Sequence, residues 1–292
     1  MEEIKKISIK DADYPKALKK IKNAPPIIYY QGKIAPEELC FAIVGTRRCS
    51  SYGKQIALDF AKDLTNAGLT IVSGLAPGID TFAHKSALEQ KKRTIAVLGT
   101  SLDEKSFYPK ENLELSRKII EFGGCLISEY PPGTRGNRFT FPNRNRIISG
   151  LSLGVLVVEA KRRSGALITA NYGLSQEKKV FAAPGSIYSK NSQGCHELIK
   201  KGAELVDNAS DILKELNLLA PLDKLSKEQT GTGNVPPEEK LILDALKEES
   251  LHIDKIIERT KLSASVVAGM LTIMEIEKKV RSLGGNIYAI MR

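Results

Sequence analysis

Two neighbouring stretches decide the fold: Phe41-Ala-Ile-Val-Gly-Thr-Arg-Arg48 and Leu69-Thr-Ile-Val-Ser-Gly-Leu-Ala-Pro-Gly-Ile-Asp80. Each opens on consecutive apolar residues rich in Val and Ile. There is no apolar–polar alternation, which is how a strand covered on both faces reads. Each run then breaks at a glycine turn. Between them Ile56, Phe60 and Leu64 recur at four-residue spacing and share one helical face. Strand, helix and strand in this order make a parallel βαβ unit.

The same pattern continues outward. Thr94-Ile-Ala-Val-Leu98, Cys125-Leu-Ile-Ser-Glu129, Gly154-Val-Leu-Val-Val158 and Val180-Phe-Ala-Ala183 bring the count to six strands. The expected fold is α/β, a Rossmann-like doubly wound, mostly parallel sheet over residues 41–217. Residues 1–40, with Tyr14-Pro15 and Ala24-Pro-Pro-Ile-Ile-Tyr-Tyr30, read as a strand-bearing arm packed on it. A helix through Ser210-Asp-Ile-Leu-Lys-Glu-Leu216 closes the domain. Residues 218–237 have a linker composition of Ser, Gly, Thr, Asn, Gln and a double proline.

Residues 238–292 form a second, smaller unit. Three apolar helical faces are centred on Leu241, Ile256 and Val267, and two short strands flank Gly284-Gly285, a hairpin signal. Three helices and a hairpin predict a small C-terminal winged helix.

The chain of 292 residues carries 44 Lys and Arg against 34 Asp and Glu, a net charge of +10. Such an excess points to a polyanionic partner, although a basic enzyme fits the charge equally well. The winged-helix segment has nine basic and nine acidic residues, so the whole excess lies in residues 1–237. A reader of duplex DNA carries a basic footprint. This unit is therefore expected to recruit a protein or to hold DNA weakly through Lys278, Lys279 and Arg281. Cys40, Cys49, Cys125 and Cys195 are widely spaced and make no metal or dithiol pattern. With no apolar leader at the start and no run near the ~20 residues of a membrane span, a cytoplasmic protein is expected.

Open α/β sheets bind ligands at the carboxyl ends of their strands. Those ends carry Gly45-Thr-Arg-Arg48, Ser73-Gly74, Lys161-Arg-Arg-Ser-Gly165 and Pro184-Gly-Ser186. Glycine lets an anion approach the main chain, serine donates through its hydroxyl, and helix starts offer free N–H groups. Together they predict a phosphate platform, although a glycine also serves merely to make a tight turn. His196, near another helix start, is a further candidate phosphate contact.

Beside this platform lies Arg135-Gly-Asn-Arg-Phe-Thr-Phe-Pro-Asn-Arg-Asn-Arg146. From Thr134 to Arg163 there are seven basic residues and one acidic, a net +6. Arginine forks fit phosphates, and a phenylalanine stacks on an unpaired base. That mixture fits single-stranded nucleic acid better than duplex. Phe141 is expected to stack, while Phe139 reads equally well as a core residue. On a helix Arg144, Asn145 and Arg146 point about 100° apart, so they cannot all face one ligand. At least one is expected to pair with an acid, and Asn145 to be mainly structural.

Rival chemistries fit less well. The first turn lacks GxGxxG, and the second strand ends in Ser73-Gly74 rather than an acid for a ribose hydroxyl. No Walker loop is present. Asp80 and His84 stand at i and i+4, but packing or capping explains His84 better than acid–base work. Glu129 has no evident partner. No nucleophile, base and orienting group come together, so no catalytic residue, metal or cofactor is expected. The alternative is a nucleotide-binding enzyme of the phosphoribohydrolase type, whose PGGxGT-like loop is not found. A transcription regulator with a ligand-sensing domain is a third reading, against which the neutral winged helix weighs.

Six stretches together resemble the DNA-processing protein A (DprA, or Smf) family. They are Ile43-Val-Gly-Thr-Arg47 with Tyr52-Gly53, Ser73 to Asp80 with Ala83-His84, and Phe141 to Gly150. Ser164-Gly-Ala-Leu-Ile-Thr-Ala170, Pro184-Gly185 and Gly194 to Ile199 with Gly202-Ala203 complete the set. They run in family order over some two-thirds of the chain. The winged helix is similar to the family's optional C-terminal module. Two departures stand out. Tyr14-Pro15 arrives so early that the family's helical N-terminal domain is expected to be missing. Lys178-Lys179 stand where the family often has Gly-Arg. The resemblance implies a non-catalytic protein that binds and protects single-stranded DNA. It also implies help in loading the recombinase RecA during natural transformation, and a homodimer formed through the Rossmann-like domain. By position it implies DNA contacts at Arg47, Ser73, Gly74, Arg138, Phe141, Asn145, Ser164 and Gly165. The platform reading adds Arg144, Arg146, Lys161, Gly185 and His196.

Overall fold

The computed structural model describes residues 3–218, 236–247, 249–277 and 279–290. The chain divides into two compact units, residues 1–222 and 223–292. Most of the expected linker, residues 219–235, lies outside the described residues.

In chain order the larger unit contains β1 (Lys5–Ser8), α1 (Lys16–Lys19), β2 (Ile27–Gly32), β3 (Cys40–Val44), α2 (Ser51–Asn66), β4 (Thr70–Ser73) and α3 (Ile79–Glu89). There follow β5 (Thr94–Val97), α4 (Leu113–Glu121), β6 (Cys125–Ser128), α5 (Thr140–Leu151), β7 (Ser152–Val157) and α6 (Gly165–Ser175). The unit ends with β8 (Lys179–Ala182), α7 (Gln193–Lys200), β9 (Glu204–Leu205) and α8 (Ala209–Glu215). All six strands expected from the apolar runs are present. Buried on both faces, they need no alternation; every residue of β3, β4, β5 and β6 is buried.

The sheet is larger than expected, with nine strands in the order β1-β2-β6-β5-β4-β3-β7-β8-β9. Three strands come from segments with weak sequence signals. β2 adds to β6 antiparallel, with Tyr29 opposite Ser128, and β1 adds to β2. The arm thus completes the sheet. Its Ile7, Tyr14, Leu18, Ile21 and Ile28 enter the core beside Val72, Val97 and Ile147. Tyr14 donates its buried hydroxyl to the Pro25 carbonyl at 2.7 Å.

Strand order fixes where a ligand can enter. From β3 the chain builds β4, β5 and β6 to one side, then returns to build β7 and β8 on the other. The gap between the carboxyl ends of β3 and β7 is the switch point, where no connection crosses the crevice. β3 and β7 pair in parallel, with Val44 opposite Val157.

The smaller unit contains α9 (Pro237–Leu246), β10 (Leu251–His252), α10 (Ile253–Thr260), α11 (Ala264–Ile276), β11 (Val280–Gly284) and β12 (Ile287–Ile290). Ile242, Leu246, Ile256, Val267, Leu271 and Met274 form its core. Gly284 and Gly285 turn the hairpin at φ of 89° and 59°, values that a side chain would oppose. The expected winged helix is therefore seen.

Candidate nucleic-acid interface

A cleft of about 520 Å³ opens at the switch point. Thr46, Arg47 and Arg48 after β3 line it, as do Lys161, Arg163, Ser164 and Gly165 after β7, with Phe141 from α5. The Thr46 N–H donates to the Glu159 carbonyl at 2.7 Å, which stitches these two rim loops together. Among the described residues Arg47, Arg48, Lys161 and Arg163 form no ion pair, and all four are exposed. Among the described residues Asp80 is the one acid in the lining. Ser164 caps α6 by accepting from the Ala166 N–H at 3.3 Å. α6 then starts at exposed Gly165; the Leu167 N–H donates to the Ser164 carbonyl at 3.1 Å, so the Gly165 N–H is the first-turn donor that Ser164 does not take and that an anion can use.

Phe141 divides this cleft from a second one. Its ring is clamped: a Cβ on Gly99 would stand 2.7 Å from Cδ1, and one on Gly136 would stand 2.5 Å from Cζ. A side chain at either position would have to push the ring aside. The Arg47 guanidinium lies over the ring, 5.8 Å from its centroid. Asn137 fixes the start of α5 by accepting from the Phe139 and Thr140 N–H groups at 2.8 and 3.1 Å. Phe139, 62% exposed, is not a core residue; the Arg138 guanidinium stacks on it at 4.7 Å.

Several expected contacts are held by partners inside the protein. Ser73 is fully buried and donates its hydroxyl to the Ile43 carbonyl at 2.6 Å. The Gly74 N–H donates to Asp80 Oδ2 at 3.0 Å, and the Ala76 N–H reaches the same oxygen at 3.4 Å. The turn after β4 is thus a filled anion seat, and its occupant is the protein's own carboxylate. Burial pushes the Asp80 pKa up, against the pull of Arg144 and those N–H groups. Arg144 is buried as well. It donates to the carbonyls of Gly74, at 2.8 Å, and Val97, and through Nε to Asn145 Oδ1 at 3.1 Å. Burial pulls its guanidinium down to about 10. Arg144 is a brace between β4, β5 and α5. Asn145 is mainly structural as well, because its amide donates to the Gly165 carbonyl at 3.1 Å.

Arg146 grips Glu129 with two bonds, 3.0 and 2.6 Å. This is the acid pairing that helical spacing requires of the trio, and it gives Glu129 its partner. Gly185 and His196 hold each other, with His196 Nε2 3.0 Å from the Gly185 carbonyl, and neither lines the central cleft. His84 is fully buried with Nδ1 2.8 Å from Thr94 Oγ1, and burial lowers its pKa to about 3. It is a packed residue.

Glu159 is a second internal anion that the sequence did not reveal. It accepts from the Ser50 N–H at 2.9 Å, the Ser50 hydroxyl at 2.6 Å and Asn191 at 3.4 Å, filling the start of α2. A Cβ on Gly53 would stand 2.4 Å from its Oε2, so Glu159 sits there only because residue 53 is glycine. Ser50 and Glu159 are 109 positions apart, so no local pattern announces the contact. Arg48 and Arg163 also join the cleft; their signal was adjacency to Arg47 and Ser164.

In the smaller unit Lys279 bridges Glu239 and Glu277 at 2.6 and 2.7 Å, so the expected weak DNA contact there is already paired. Arg281 is exposed, and Lys278 lies outside the described residues. No helix among the described residues is long and apolar enough to cross a membrane. No cluster suited to a metal occurs among them either.

The model of the DNA recombination-mediator protein A family matches residues 5–217, and that of the DprA winged helix domain matches residues 226–286. The chain is 47% identical over 211 residues to the DNA processing protein DprA of Streptococcus pneumoniae, covering 71% of this chain and 73% of that one. It is 37% identical over 287 residues to Protein Smf of Escherichia coli, covering 96% and 75%. The solved structure of the S. pneumoniae protein matches with a TM-score of 0.67 at 44% identity, covering 73% of this chain and 75% of that one. A structure of DNA processing protein A from Helicobacter pylori, described as giving insight into a unique single-stranded DNA binding mode, matches with a TM-score of 0.65. There the identity is 30%, covering 75% of this chain and 96% of that one. In sequence, in fold and in both of its units, this chain belongs to the DNA recombination-mediator protein A (DprA/Smf) family.

Proposed function

We propose that the protein binds single-stranded DNA across the switch-point cleft and performs no chemistry on it. The observation that carries this reading is the set of unpaired cations, Arg47, Arg48, Lys161 and Arg163, around the clamped Phe141 ring. Unpaired guanidinium groups are free to take phosphates, and the aromatic ring offers a sequence-tolerant stacking surface. The single-stranded DNA mode described for the H. pylori relative supports the same ligand. The site contacts we assign are Arg47, Phe141, Lys161, Ser164 and Gly165, with Arg138 beyond Phe141.

The filled seats weigh against the phosphoribohydrolase-type alternative. A mononucleotide enzyme on this sheet needs its turns for phosphate, and here Asp80 and Glu159 occupy two of them. The wider role follows from the family resemblance: protection of single-stranded DNA, assistance in loading RecA during transformation, homodimerisation through the larger unit, and action in the cytoplasm.

Fluorescence anisotropy with oligo-dT and with duplex, on the full chain and on Arg47→Ala, tests the binding step. Tight oligo-dT binding, weaker duplex binding and a loss on Arg47→Ala are expected. Equal affinity of the two proteins for oligo-dT would remove the cleft from the account. RecA loading is tested by whether the protein speeds RecA assembly on strands coated with a single-strand-binding protein.

A further inference from the structure

Beyond Phe141 lies a second cleft of about 520 Å³, lined by Lys105, Tyr108, Lys110, Arg135, Arg138 and Phe141, and it touches the first at Arg47. No acid lines it. Among the described residues Lys105, Lys110, Arg135 and Arg138 form no ion pair, and all four are exposed.

The nearby carboxylates are engaged elsewhere. Asp103 accepts from the Gly133 and Ser106 N–H groups at 2.7 and 3.1 Å, and Glu104 pairs with Arg117 at 2.7 Å. The cleft also has an aromatic wall. Tyr108, 46% exposed, meets Phe141 edge-on, with ring centroids 5.5 Å apart and planes at 60°. The stacked Arg138–Phe139 pair adds a flat, exposed surface on the same segment.

We propose that this second cleft is a further nucleotide subsite, so that one DNA strand crosses the Arg47–Phe141 ridge and rests in both clefts. The inference rests on the single-strand reading of the central cleft and extends it. Four cations that form no ion pair among the described residues fit a polyphosphate backbone, with Lys110 Nζ also donating to the Glu104 carbonyl. Aromatic rings and a stacked guanidinium fit unpaired bases without regard to sequence. The ridge explains why Arg47 and Phe141 line both clefts: they hold the strand where it passes from one to the other. An acidic peptide would use the cations but leave the aromatic wall idle, so DNA is the occupant that uses both.

The test is a length series of oligo-dT, from about 4 to about 16 nucleotides, against the full chain, Tyr108→Ala and Lys105→Ala/Lys110→Ala. Wild-type affinity is expected to climb with length until both clefts are filled. Both variants are expected to bind the shortest oligonucleotide as the wild type does, and to lose about tenfold on the longest, which is about 1.4 kcal/mol. Retention of the fold in each variant is read from an unchanged Tm. Identical length profiles in all three proteins overturn the second subsite while leaving the first in place. Failure of the wild type to bind any length, or full binding by Arg47→Ala, removes the central cleft itself and the subsite with it. Displacement by polyglutamate from the wild type but not from the lysine variant, with unchanged length profiles, assigns the cleft to an acidic protein and also overturns the proposal.

Discussion

Two turns at the same edge of one sheet have opposite fates. After β4 the main-chain donors of Gly74 and Ala76 point at Asp80, with Arg144 locked beside it by two carbonyls. After β3 and β7 Glu159 fills the start of α2, but the rim beyond it is open, and among the described residues Arg47, Arg48, Lys161 and Arg163 form no ion pair. The difference teaches that a glycine-rich turn is a capacity for anions, and that the protein decides turn by turn whether to use it internally. Where a carboxylate is built in, the turn stabilises the sheet. Where none is, the turn is available to a ligand.

The largest test is Arg144→Met. Removing one partner from a buried charged network typically costs about 3–5 kcal/mol. We expect a loss of that order in urea unfolding. Unchanged stability with weakened DNA binding would move Arg144 from the filled turn to the open one.

The filled turn should also be sensitive to acid. His84 has an ordinary pKa near 6.5 and is depressed to about 3 in the fold. The unfolded chain therefore binds a proton that the native state refuses, and stability falls as pH drops from about 6.5 toward 3. The raised pKa of Asp80 gives a slope of opposite sign at the acid end. Comparing wild type with His84→Asn isolates the histidine. The variant should show a shallower fall of Tm on acidification, and parallel curves would place the acid response elsewhere.

Arg47→Ala comes next. A loss of about tenfold or more in oligo-dT affinity is expected, with Tm unchanged. The slope of log affinity against log salt should shrink by about 0.7–1, the signature of one phosphate contact. The smallest effect belongs to Arg146→Ala. Arg146 is held by Glu129, and both side chains are only about 15% exposed, so single-strand affinity should change far less than for Arg47→Ala. An equal loss would mean that ion pairing does not sort the arginines, and the contrast between the two turns would fail.

Legibility in the sequence followed the range of each contact. The six core strands were readable because each is a continuous apolar run. β9 has two residues and offers no periodic signal, whereas β2 lies within the stretch Ala24–Tyr30 read as strand-bearing, although its pairing with β6 was not legible. The helical angle between Arg144 and Arg146 said that they must part company, but not where each would go. Their partners, Gly74, Val97 and Glu129, lie 70, 47 and 17 positions away. Ser73 misled for the same reason: its hydroxyl has a carbonyl acceptor 30 positions away on the neighbouring strand. Tyr108 had a usable signal, an aromatic between Lys105 and Lys110, that strand-end reasoning passes over because it lies deep in a long loop.

The arm that extends the sheet has a colloidal consequence. β6 is four buried residues, and without β2 its backbone would be a bare edge inviting another chain to pair. β1, the outermost strand on that side, carries exposed Lys5 and Lys6, and like charges discourage edge-to-edge stacking. The opposite edge, β9, is two residues long. With one border charged and the other cut short, the protein is guarded against polymerising through its own sheet.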